Sequence, residues 1–327
     1  MTPHSPMQVG AIKTRVLILL IALIVCGVAG TVILSHFMKA DRKPAAVTAT
    51  QPAAPRADLP PGVQSAALTL ETTHYVIVSN ATPEQTALVA RAVESLYDAY
   101  TTFFRNEIAL APRPPKLKLM LFKDQAEFKA HNTSQPWAEA FYRVPWSYAY
   151  YDAAAKNPYH WMLHEATHQL RNEVAHFPKV KWIDEGIATY FSTSRIRDGK
   201  LIPGDVDPDT YPIWHLRGLA LTGDLQGDIR KGRIIPLHDL MADTGPPVGQ
   251  NVNLYYIEYW SLTHFLLHYG DGRYASLFKR LAASGDATRD GLVGIEPMES
   301  LQLKWFEYLQ QAASKNMEVF RVRARPS

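Results

Sequence analysis

His164-Glu165-Ala166-Thr167-His168, followed by Trp182-Ile183-Asp184-Glu185-Gly186, is the stretch from which the fold of this chain is best read. Two histidines four residues apart on a helix stand about 40° apart around its axis and one turn apart along it, so both imidazoles reach one point. Imidazole nitrogens suit Zn2+, and one zinc ion is the cofactor expected here. Glu165 lies about 100° round from His164, beside the ion but not bound to it. A carboxylate so placed takes a proton from a water that the metal activates and passes it to a leaving group, which makes Glu165 the expected general base.

Catalytic zinc usually takes three protein ligands and keeps a fourth position open, so one more ligand must come from elsewhere in the chain. Glu173 would point about 140° away from His168 on the same helix. Arg171 and Val174 stand where a His-rich third-ligand pattern needs Gly and His. His176, just past the helix end, is a rival. Glu185 is the candidate: it starts the next helix, which would bring it to the ion by packing side by side with the first. Gly186 permits a close backbone approach there, and Asp184 is placed to orient a ligand.

The 327 residues suffice for a sizeable core, and 47% hydrophobic with 20% charged residues describes a globular chain with an apolar addition. A net charge of +3, with no basic run interleaved with aromatics, argues against a nucleic-acid partner. A single cysteine, Cys26, excludes intramolecular disulfides and a cysteine-based metal site.

The apolar addition is Val16 to Met38, 23 residues without a charge, long enough to span a bilayer. Residues 1–15 are read as a short cytoplasmic tail, 16–38 as a single-pass anchor, and 39–66, with five prolines, as an extended linker. A signal peptide cleaved near Val28-Ala29-Gly30 is the alternative. Residues 67–327 form the expected catalytic domain, exported to the periplasmic or extracellular side.

Within that domain, strands are predicted at His74–Val78, Lys116–Phe122 and Ser147–Tyr151. Thr82-Pro83-Glu84-Gln85 starts a long helix with Leu88, Ala92, Leu96, Tyr100 and Phe104 on one apolar face. Asp124 caps a short helix to Ala130. Asn157-Pro158 starts the metal helix, drawn to Val174, and the next helix runs from Lys181 to Arg195. Residues 198–252 are read as loops and short helices. Further helices follow at Leu254–His268, Gly272–Ala283 and Glu296–Ala313. The order gives an α+β fold, with the sheet on the amino-terminal side and a mostly helical second half. A free edge on the Ser147–Tyr151 strand would offer an extended peptide a pairing partner.

His164-Glu165-xx-His168 with Trp182-Ile183-Asp184-Glu185-Gly186-Ile187-Ala188-Thr189-Tyr190 resembles the gluzincin metallopeptidases, and within them the bacterial DUF1570 or peptidase-MA-like proteins. The resemblance covers about residues 67–315. It implies a zincin-like domain that cleaves amide bonds in a peptide or protein substrate, with His164, His168 and Glu185 as metal ligands. Tyr256, by its place in the family pattern, would steady the oxyanion, with Tyr255 and His264 as reserves. The Trp-x-x-Glu-Gly-x-Ala-x-Tyr run is also similar to the M1 aminopeptidases. However, the gap from His168 to Glu185 is shorter here, and their Gly-x-Met-Glu-Asn element is absent, which favours an endopeptidase. The competing reading is a non-catalytic module that keeps zinc for structure and binds a peptide or a cell-wall component.

Overall fold

The computed structural model describes residues 59–63, 66–112, 114–286 and 296–314, and the anchor, the tail and most of the linker expected above lie outside them. Among the described residues no helix is long and apolar enough to cross a membrane. The fold is mixed α+β.

One sheet holds β1 (Leu68–Glu71), β2 (Tyr75–Ser79), β3 (Leu117–Phe122), β4 (Phe141–Arg143) and β5 (Trp146–Tyr150) in the order β1-β2-β3-β5-β4. β2, β3 and β5 run parallel, and the two edge strands are antiparallel to their neighbours. The alternation of side chains explains why both faces are covered. Tyr75, Ile77, Leu119, Leu121 and Ala149 belong to the large core. Val78, Met120, Phe122, Tyr148 and Tyr150 face the other way and pack on Phe128. Central strands buried on both faces read as continuous apolar runs, which is how β3 appears in the sequence.

The Thr82 capping box is present, and α1 (Pro83–Phe103) follows it. Its buried face is centred on Val89, Val93, Leu96 and Tyr100, with Leu88 only half-buried. Asp124 caps α2 (Gln125–His131) by accepting from the Glu127 amide.

The helix that carries His164 and His168 starts later than expected and ends at Val174 as expected, though not as a regular α-helix. α3 spans His160–Gln169, with Tyr159 at its start and no side-chain cap, so Asn157-Pro158 occupies the turn before it. Its last turn, Leu170–Val174, widens into a π-helix. α4 (Lys181–Ser192) stops three residues early because Ser194–Arg197 (β6) pairs with Lys200–Val206 (β7) in a hairpin whose second strand lies in the region read as loops. The carboxy-terminal half adds α5 (Leu225–Arg230), α6 (Leu237–Ala242), α7 (Val252–His268), α8 (Ala275–Ser284) and α9 (Met298–Ser314).

The expectation of a free edge on the third strand is corrected. β5 lies between β3 and β4, so its ladder is filled, and the free edge belongs to β4. β4 was missed because three residues are too few to show an alternation.

These elements fix the site from three sides. α3 is tied to the sheet: Ser147 Oγ donates to the Glu165 carbonyl at 3.2 Å, and Gln169 Nε2 donates to the Pro145 carbonyl at 2.9 Å. Met162, Leu163, Ala166 and Leu170 bury the opposite face of α3. α4 packs on α3 and on α7. Gly186 makes the latter contact possible, since a Cβ there would lie 2.1 Å from Thr263 Oγ1 and 2.9 Å from the Tyr259 carbonyl.

Candidate metal centre

His164 and His168 project from the sheet-bound helix α3, and Glu185 faces them from the first turns of α4. His164 Nε2 and His168 Nε2 are 3.2 Å apart, and Glu185 Oε2 is 3.4 Å from the first and 3.6 Å from the second. Two ligands about 2.1 Å from one ion at the tetrahedral angle stand about 3.4 Å apart, so this triangle has the size a zinc ion requires. Glu185 Oε2 is buried and makes no hydrogen bond among the described residues. A buried carboxylate oxygen without a donor is costly unless a cation answers it. The donor set and the orphaned oxygen both fit a metal, and this is the cluster of metal-ligating residues found among the described residues.

Behind the triangle, His168 Nδ1 and Asp184 Oδ1 are 3.0 Å apart. A carboxylate accepts, so Nδ1 carries the proton and Nε2 turns its lone pair to the centre. Arg171 Nε pairs with the same oxygen at 2.8 Å, and its Nη1 donates to the Phe177 carbonyl. The electrostatics follow from these contacts. Burial alone would lower the His168 pKa, but Asp184 and Glu185 overcome it and hold it well above the ordinary value. Burial would raise Glu185, yet His168 and His164 hold it well below the usual carboxylate range. Asp184, pushed up by burial, is drawn below its ordinary value by His168 and Arg171. Glu165 is buried, which pushes its pKa up, with His164 and His168 opposing.

Tyr256 on α7 faces this group, its ring centroid 5.8 Å from that of His164. Burial, then the charges of Glu185 and Glu165, push its phenol well above the ordinary value, so it stays a hydrogen-bond donor. The two reserve candidates lie elsewhere. Tyr255 donates to the Pro246 carbonyl, and His264 packs against Tyr308 and the Gly204 carbonyl. Glu173 accepts from Tyr142 and Gln169, and His176 is exposed on a positive-φ residue after the π-turn, so neither joins the cluster.

Several cleft residues were not among the sequence candidates. Trp137 precedes β4, Tyr211 and Trp214 come from the segment read as loops, and His160 and Trp161 open α3. Tyr211 meets Tyr256 with tilted rings, centroids 5.8 Å apart, and burial with the Glu185 charge raises its pKa. His160 had a readable signal: it stands four residues before His164, one turn up the same helix face.

No curated protein matches the chain. Residues 160–285 match the family model described as "Protein of unknown function (DUF1570)". The matched stretch runs from the start of α3 to the residue after α8 and includes His164, Glu165, His168, Glu185 and Tyr256. Over these residues, less than half of its length, the chain is similar to the DUF1570 family.

Proposed function

We propose that this protein is a zinc-dependent metallohydrolase, and specifically a peptidase of the endopeptidase type. The observation that carries the reading is the triangle of His164 Nε2, His168 Nε2 and Glu185 Oε2 with Glu165 buried beside it on the same helix turn. Zinc, when bound, polarises a water and the carbonyl under attack. His164, His168 and Glu185 would hold it, and Asp184 would keep the His168 ring in the right tautomer.

Glu165 takes the proton of the attacking water and delivers it to the departing nitrogen; its raised pKa suits a group that must first accept and then give. Tyr256, protonated throughout, donates to the oxyanion as charge builds there. β4, the free edge beside the cleft, is the strand against which an extended substrate can lie. A purely structural zinc site has no need of Glu165 or of an open side, which ranks the catalytic reading above the binding module. The apolar stretch 16–38 would hold the enzyme at a membrane with its domain exported.

The test uses the full-length chain purified in detergent. Wild type and Glu165→Gln should both carry about one zinc, while cleavage of a peptide library falls by about 10²- to 10⁴-fold in the variant. Undiminished cleavage by Glu165→Gln would sink the mechanism. Stoichiometric zinc with no wild-type cleavage would favour the binding module.

A further inference from the structure

The cleft beside His164 and Glu165 has two branches of unlike chemistry. One, of about 460 Å³, is walled by Trp137, Trp161, Tyr211 and Trp214, and no Lys or Arg lines it among the described residues. Apart from Glu165, which both branches share, its charged lining consists of Glu139 and Asp152. The other branch, of about 450 Å³, carries Arg171, Lys179 and Lys181 alongside Asp184 and Glu185.

In the aromatic branch, Glu139 is already answered. Lys129 Nζ pairs with it at 2.9 Å, and Gln125 and Tyr150 donate to it. Asp152 accepts a single backbone N–H, from Ala154 at 3.2 Å, and joins no ion pair among the described residues.

His160, which also lines this branch, adds a second and independent observation. Its Nδ1 lies 2.6 Å from the Asn157 carbonyl, which can only accept, so Nδ1 carries the proton. Nε2 is therefore left as an acceptor, and it is buried with no hydrogen bond among the described residues. A buried nitrogen acceptor without a donor and a carboxylate without an ion-pair partner among the described residues thus stand among aromatic planes, in a branch lined by no Lys or Arg.

Resting on the peptidase reading above, we propose that this branch receives the guanidinium of a substrate arginine, so that cleavage occurs next to Arg. A guanidinium is planar, stacks on Trp and Tyr faces, and offers several donors in a fixed fork. A tyrosine or a sugar hydroxyl would bring donors but leave the Asp152 charge unanswered, and a lysine ammonium lacks the flat face. In the branch opposite the cations are already paired, Arg171 and Lys179 with Asp184 and Lys181 with Asp243, so the carboxylate left for a guanidinium to answer lies in the aromatic branch.

The test has a binding arm and a cleavage arm, both on the full-length, zinc-loaded chain. Calorimetry on Glu165→Gln would compare L-arginine amide with L-leucine amide, L-tyrosine amide and N-acetylglucosamine. Arginine amide should bind tightest, and Asp152→Asn, at a half-exposed position, should weaken it at least about tenfold. His160→Phe should also weaken it, with thermal melting as a check that this more buried variant folds.

In the cleavage arm, peptides differing only in Arg or Leu at the scissile bond should favour Arg about tenfold or more in wild type, and much less in Asp152→Asn. Arginine binding without any cleavage would uphold the pocket and remove the peptidase reading. Cleavage with no Arg preference, equal affinity in wild type and Asp152→Asn, or tightest binding of the tyrosine or sugar probe would overturn the pocket.

Discussion

Asp184 and Glu185 are neighbours in sequence, yet they address opposite nitrogens of one imidazole. Asp184 takes the Nδ1–H of His168 from behind, and Glu185 meets Nε2 from the front. Consecutive helix residues point about 100° apart, so a helix crossing the ring edge can supply both. Asp184 is also the anchor of Arg171, so its charge is shared between the ligand and the π-turn that ends the metal helix. Replacing it with Asn keeps the shape but removes the charge and offers His168 an ambiguous partner. Asp184→Asn should cost about 10- to 100-fold in zinc affinity, with the fold retained, as measured by competition with a chelating indicator. Unchanged affinity would show that the Asp184 contact serves Arg171 and not the ligand.

At this scale most of the candidate cluster is legible in the sequence, because helical spacing alone fixes where His164, Glu165 and His168 point. Glu185 was reached by eliminating rivals, and Tyr256 only by resemblance. Asp152, Trp137, Tyr211 and Trp214 were not legible. They come from loops and turns or, for Trp214, from a short 3-10 helix, too brief for periodicity to tie a residue's number to its direction.

Between elements, the decisive contact is α4 on α7. Gly186 follows the candidate ligand Glu185 and sits against Thr263 and the Tyr259 carbonyl, three residues after Tyr256. The close backbone approach foreseen at Gly186 is the one made with α7. An added methyl has nowhere to go, since one of the two near atoms is backbone. Gly186→Ala should push α4 and α7 apart, destabilise the protein by about 1–3 kcal/mol in a denaturant melt, and lower zinc affinity because Glu185 moves with its helix. A variant with wild-type stability and affinity would mean that the interface relaxes without moving the ligand.

The strong elements were readable from pattern: the capped α1, the apolar β3 and the amphipathic α4. The errors have local causes. Asn157-Pro158 carries a start signal, but the Asn157 carbonyl and amide are used by His160 and Thr210 instead. The β6–β7 hairpin is a local pairing that turns on Asp198-Gly199, both at positive φ, a turn signal hidden by the loop-like Gly and Pro content of the stretch that follows.

Over the whole molecule, stability should respond to pH through buried groups outside the triangle of His164, His168 and Glu185. Burial lowers the pKa of His160 and His268 to about 4 and holds that of His264 well below its ordinary value, so all three are neutral when folded near neutral pH. Unfolded, each would take up a proton below its ordinary value of 6.5. Their contribution is therefore complete above pH 6.5 and lost as pH falls from there toward 4.

Glu258 acts in the opposite sense. It is fully buried on α7, accepts from the Ile235 amide at 2.9 Å, and burial raises its pKa well above 4.5. Folded, it keeps its proton; unfolded, it ionises once pH passes 4.5, so its contribution is complete below that value and drains away as pH rises toward the folded pKa. Glu258→Gln keeps the acceptor for Ile235 and is neutral in both states, which removes the alkaline slope and leaves the acid one. Its melting temperature should stand close to that of wild type at pH 5 and exceed it by at least about 3 °C at pH 8. The histidine-driven loss acts equally on both proteins, so it cancels in this comparison. An offset that is the same at both pH values would mean that Glu258 ionises in the folded protein and that its charge is met by a partner in the core.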